Sequence, residues 1–113
     1  MKNRNLNKLN WKAVSHNPEI KKKVILENGE IPRITTFGKA VFKPGQSVEE
    51  HKHPTMYEVF LITCGKAKLF VSGEEMIVTK DDCVVVEPNE IHSQSNPYNK
   101  DVVWIYFGVA TNE

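Results

Sequence analysis

Gly45-Gln46-Ser47-Val48-Glu49-Glu50-His51-Lys52-His53-Pro54-Thr55-Met56-Tyr57-Glu58-Val59-Phe60-Leu61-Ile62-Thr63-Cys64-Gly65 is the stretch that decides how this chain folds. Side chains at i and i+2 of an extended segment point to one face. His51 and His53 therefore converge if 48–53 is a strand. Pro54-Thr55-Met56 reads as a turn, and Glu58 opens the next extended run, so hairpin pairing returns its carboxylate to the histidine face. Two neutral imidazoles and a carboxylate suit a divalent first-row metal, and the lack of thiolates removes any bias towards structural zinc or an iron–sulfur cluster. Two histidines at this spacing, taken alone, fit a chance meeting of surface or core side chains equally well.

Outward from this hairpin, short runs rich in Val, Ile and Phe alternate with turn residues every eight to twelve positions, the pattern of an all-β sandwich or barrel. The runs are 22–27, 33–42, 48–53, 57–64, 66–72, 75–79, 83–87, 91–95 and 102–109. Asn28-Gly29, Pro44-Gly45, Gly65, Ser72-Gly73, Lys80-Asp81-Asp82, Pro88-Asn89 and Asn96-Pro97 break them with turn chemistry. Residues 59–62 and 102–107 are apolar on both faces, which in an antiparallel sheet calls for cover on the outer side. A second copy of the chain, hence a homodimer, is the simplest cover.

The 113 residues make one domain, expected at 20–113, preceded by a leader at 1–19. Residues 1–23 hold seven basic groups against Glu19 alone, a local balance of +6 within a chain of net charge +1. A basic arm suggests nucleic acid, but this one lacks the interleaved aromatics of a stacking surface. It reads as a solvated leader, with His16 in water and Trp11 and Val14 tacking it to the body. The longest apolar run, 102–110, is too short to span a bilayer as a helix. No basic flank, apolar stretch and small-residue cleavage site succeed one another near the start. The expectation is a cytoplasmic protein with neither nucleic acid nor membrane as partner. Cys64 and Cys83 sit in apolar runs outside any CxxC spacing and read as buried small hydrophobes.

The spacing Gly45, five residues, His51, one residue, His53, four residues, Glu58, six residues, Gly65 resembles the first motif of the cupin superfamily at every fixed position. The second motif of that family is kept in part. Pro88, His92 and Asn96 hold their order and His92 to Asn96 its gap, while Asp82 and Glu90 stand where the family has glycine and Pro88 to His92 is one residue shorter. The resemblance, to a small single-domain cupin of the conserved-barrel type, implies a double-stranded β-helix (jelly roll). It also implies His92 as a fourth ligand beside His51, His53 and Glu58, around one divalent transition metal ion per chain: Fe, Mn, Ni, Cu or Zn. Four protein ligands leave two positions of a six-coordinate ion for water, dioxygen or a chelating substrate.

Alternation adds Gln94, on the face of His92, and Glu49, on the face of His51 and His53, as candidate catalytic residues. Phe42, Met56, Phe60 and Tyr106 are candidates for an apolar wall, and for the core. Three functions follow: a small metal-dependent enzyme (oxygenase, isomerase or lyase) acting on a small polar molecule such as a sugar or keto acid, a non-catalytic small-molecule binding module, or a metal-free structural protein. The last would bury two histidines and a glutamate together without compensation.

Overall fold

Turn residues divide the described residues into ten strands: β1 (Lys12–Val14), β2 (Asn17–Leu26), β3 (Ile34–Phe42), β4 (Ser47–His51), β5 (Met56–Cys64), β6 (Lys66–Val71), β7 (Glu74–Thr79), β8 (Cys83–Val86), β9 (His92–Ser95) and β10 (Val102–Ala110). The computed structural model describes residues 1–111. All strand pairs are antiparallel, in a six-stranded sheet of order β1-β2-β3-β10-β5-β8 and a four-stranded sheet of order β4-β9-β6-β7. The two sheets face one another as a jelly roll, the all-β fold expected. No helix of the described residues is long and apolar enough to cross a membrane.

The core lies at one end of the space between the sheets. Ile20, Phe42, Val48, Ile62, Leu69 and Trp104 close it, and Phe42 meets Trp104 edge-to-face with centroids 4.7 Å apart. Asn96 pins the same end. Its buried side chain donates to the carbonyls of Phe42 (2.9 Å) and Lys100 (2.8 Å) and accepts from the Tyr98 amide (3.1 Å), so one amide shapes the loop between β9 and β10 and ties it to the end of β3. Gly65 turns β5 into β6 at φ +81°, where a Cβ would overlap the carbonyl oxygen of Asp101.

Sequence and structure part company at the start of the chain. β1 and the first residues of β2 fall within 1–19, and Val14 packs against the core, so this segment supplies an edge of the six-stranded sheet rather than a solvated arm. Three residues, two of them exposed, are too few to show a strand period. Most of the basic groups there are engaged locally. Lys2 and Arg4 pair with Glu30, Lys12 pairs with Glu27, and Lys23 donates to the Leu6 carbonyl beneath the Trp11 ring.

Both cysteines are exposed, which corrects the expectation that they are buried. Cys83 pairs across the ladder with Leu61, itself 40% exposed, on the outer face of the large sheet, and Cys64 ends β5. An apolar run marks a strand but not which of its faces turns inward.

Candidate metal centre

His51, His53, Glu58 and His92 come together at the other end of the barrel, each offering a ligand atom within 4.8 Å of the others. The local reason differs from simple alternation. Between β4 and β9, Val48 pairs with Gln94 and His51 with His92, so three steps on one strand oppose two on the other. This is a β-bulge. It turns Val48 into the core and still presents His51 to the site. The strand ends at His51, and His53 follows outside it, its carbonyl held by the Asn89 amide at 2.9 Å.

Glu58 projects from β5 opposite Gly108 of β10, where a Cβ would overlap Thr35 Oγ1. Glycine there leaves room for the Thr35 hydroxyl and the Met56 sulfur. His92 enters from β9. The turn before it carries Asn89 at φ +67°, and Glu90 accepts from the Glu87 amide and from Ser72 Oγ, so side-chain hydrogen bonds replace the glycine chemistry expected of the second motif.

The imidazoles are oriented by backbone. His51 Nδ1–H donates to the Glu49 carbonyl at 2.7 Å and His92 Nδ1–H to that of Glu90 at 2.9 Å, which directs both Nε2 atoms inward. Glu58 Oε1 lies 2.8 Å from His53 Nε2 and 3.1 Å from His92 Nε2. Three inward imidazole nitrogens around one carboxylate oxygen make a donor set that fits a first-row divalent ion.

Electrostatics distinguish the ligands. Burial pushes the His51 and His53 pKa values down, and neighbouring imidazoles add to it. Burial acts the same way on His92, but hydrogen bonds to Glu58 and to the Glu90 carbonyl outweigh it and its pKa ends above the usual value. Glu58 is burdened by burial, yet the His92 hydrogen bond and the surrounding imidazoles hold it below the ordinary carboxylate range.

Metal binding needs the His92 Nε2 lone pair, so below the raised His92 pKa an arriving ion displaces a proton from His92. His51, His53 and Glu58 contribute little. Affinity is therefore expected to rise with pH through the His92 pKa and to fall as acid protonates all three imidazoles. Calorimetric titration with Mn²⁺ at pH 7 in buffers of different ionisation enthalpy should give up to about one proton released per ion. Buffer-independent heats would contradict it.

His51, His53 and Glu58 line a cavity of about 160 Å³ between the sheets. Phe42, Met56, Phe60 and Tyr106, the expected apolar wall, all line it. Gln94 lines it too, 8% exposed, with no side-chain hydrogen bond to a described residue. Glu49 is placed otherwise: the bulge sets it outside the cavity lining, exposed, and its contact with the site is the backbone carbonyl that orients His51.

His16, expected in water, is exposed yet lines the cavity, and Lys22, expected only as part of a strand, lines it as well. His16, from the β1–β2 turn, stacks on His51 with centroids 4.3 Å apart, and Lys22 enters from β2. Neither carries a sequence signal, because both come from a segment whose pairing is set by β1. Tyr106 presents a buried hydroxyl, and burial, reinforced by Glu58, pushes its pKa up to about 12.

The family model for the cupin domain matches residues 38–108. This chain belongs to the cupin family. Among curated proteins it is similar to a mannose-1-phosphate guanylyltransferase of Salmonella montevideo, 31% identical over 63% of this chain and 14% of that protein. It is similar also to an oxalate-binding protein of Thermotoga maritima, 28% identical over 61% of this chain and 57% of that one. The matched region thus spans less than two thirds of either relative. Among solved structures, a predicted oxalate decarboxylase from Thermotoga maritima superposes with TM-score 0.87 at 19% identity, covering 94% of this chain and 96% of the other. The cupin domain of Schizosaccharomyces pombe Cnp3 does so with TM-score 0.81 at 18% identity, covering 96% and 73%. At these identities the superpositions establish the fold.

Proposed function

We propose that this cupin binds one divalent transition metal ion through His51, His53, Glu58 and His92 and is a small metal-dependent enzyme acting on a small polar molecule. The observation that carries this reading is the convergence of four ligand atoms within 4.8 Å at the side of a cavity. A bound ion would supply Lewis acidity or redox chemistry with open coordination positions. The chain's own residues do the remainder. Backbone carbonyls hold the imidazoles, Phe42, Phe60 and Met56 limit water, and the unpaired Gln94 amide is placed to orient a polar group of the substrate.

A second reading, a binding module in which the ion only fixes the ligand, is supported by the similarity to the oxalate-binding protein. Elemental analysis of untagged protein purified without chelator tests the first step. About one equivalent of Fe, Mn, Ni, Cu or Zn per chain is expected, and failure to bind any of them after reconstitution would sink both metal readings. Product formation by the loaded protein from 2-oxo and 2-hydroxy acids, with and without oxygen, separates enzyme from binding module.

A further inference from the structure

Lys22 is the feature that the metal reading leaves unused. It is partly buried on the inner face of β2 and lines the cavity of the metal ligands, yet it makes no hydrogen bond or ion pair with a described residue. Its basic neighbours are all engaged, Lys12 with Glu27 and Lys23 with the Leu6 carbonyl. An unpaired ammonium group in a partly apolar cavity is costly unless an anion joins it.

A second polar group lines the same cavity. Tyr106 Oη is buried beside the Thr36 side chain but completes no hydrogen bond of good geometry. It rests over Gly38, 2.7 Å from where a Cβ at that residue would stand, and Gly38 belongs to β3, the strand between β10 and β2. Glycine at 38 is what lets the phenol lie there. The hydroxyl thus lies between β5, the strand of Glu58, and β2, the strand of Lys22.

Register sets the separation. Lys22 is opposite Ala40 and Ala40 opposite Trp104, whereas Glu58 is opposite Gly108, four residues further along β10. The backbones of Lys22 and Glu58 are therefore three strand spacings apart, roughly 14 Å across the sheet, and further along it. A cavity of about 160 Å³ compares with the ~150 Å³ that accepts benzene, so the ligand has about six to ten non-hydrogen atoms.

We propose that Lys22 and Tyr106 form a second anchor, and that the ligand is a small diacid whose chelating 2-hydroxy- or 2-oxo-carboxylate end faces the metal while its distal carboxylate meets Lys22 Nζ and Tyr106 Oη. This rests on the metal reading above for the chelating end. The anchor itself stands on the unpaired lysine and the buried phenol.

The test compares acids that differ only in the distal carboxylate: racemic malate against lactate, and 2-hydroxyglutarate against 2-hydroxybutyrate. Each is titrated calorimetrically into protein with and without bound Mn²⁺, for wild type, Lys22→Met and Tyr106→Phe. At least one diacid is expected to bind the Mn²⁺ form tenfold or more tighter than its monoacid. Lys22→Met should cut that preference to below threefold and Tyr106→Phe reduce it several-fold, with Mn²⁺ uptake unchanged in both. A preference below threefold in wild type, or one that survives Lys22→Met, overturns the anchor and leaves the metal centre standing. If wild type takes up no Mn²⁺, the metal reading fails separately. Diacid binding to the metal-free protein that Lys22→Met abolishes would then still support the anchor, and no such binding would overturn it.

Discussion

His53→Ala is expected to lose metal affinity by at least a hundredfold while the barrel stays folded. Removing the partner that merely orients a ligand already costs ten- to a hundredfold, and His53 offers a ligand atom directly. The fold should survive for reasons visible around the residue. His53 lies outside β4, its side chain is part-exposed, and its anchoring bond, from the Asn89 amide to the His53 carbonyl, is made by backbone that alanine keeps. Glu58 also retains His92 at 3.1 Å, so its carboxylate is not left alone. Elemental analysis and thermal unfolding with and without Mn²⁺ check both halves. Wild type at a hundredfold excess over Kd should gain about 2.7 kcal/mol from the ion, and the variant close to none. Loss of the cooperative transition in the metal-free variant would instead make the cluster part of what holds the barrel together.

Trp104→Ala should be the costliest single truncation in the core. The indole is 1% exposed, meets Phe42 edge-to-face and Phe60 at 5.9 Å between centroids, and stands at the centre of a row running from Ala40 of β3 through β10 to Ile62 of β5. Emptying such a site costs about 3–5 kcal/mol in transfer and cavity terms together. In a domain of this size that lowers Tm by roughly 12–20 °C. Because Trp104 also lines the ligand cavity, the variant should bind small acids more weakly even where it remains folded. A shift under about 5 °C, read by calorimetry, would mean the core collapses to fill the space.

The metal centre was legible to the extent that it is local. His51, His53 and Glu58 lie within one hairpin, where spacing and turn chemistry almost decide which side chains can meet, and glycines at 45 and 65 bound it. The mechanism of convergence was not legible. A bulge between Val48 and His51 replaces strict alternation and sets Glu49 outside the cavity, because an inserted residue reverses the inward and outward pattern beyond it. The cysteines misled for a related reason. Residues 83–86 are apolar throughout, and burial falls to Val86 while Val85 remains 54% exposed.

Read alone, the sequence of this chain specifies an all-β barrel with His51, His53 and Glu58 brought together by one hairpin, since strand periods, turn residues and hairpin spacing act over a few residues, while His92 is implied only by the resemblance to the cupin motifs. Tertiary structure alone decided that β1 and the start of β2 complete the large sheet and so bring His16 and Lys22 to the cavity. It also decided that Tyr106 reaches across Gly38 with its hydroxyl buried. Those placements depend on pairing β2 with β3 and β3 with β10, partners up to some seventy residues apart in register, and no local pattern in a strand specifies the strand that will lie beside it.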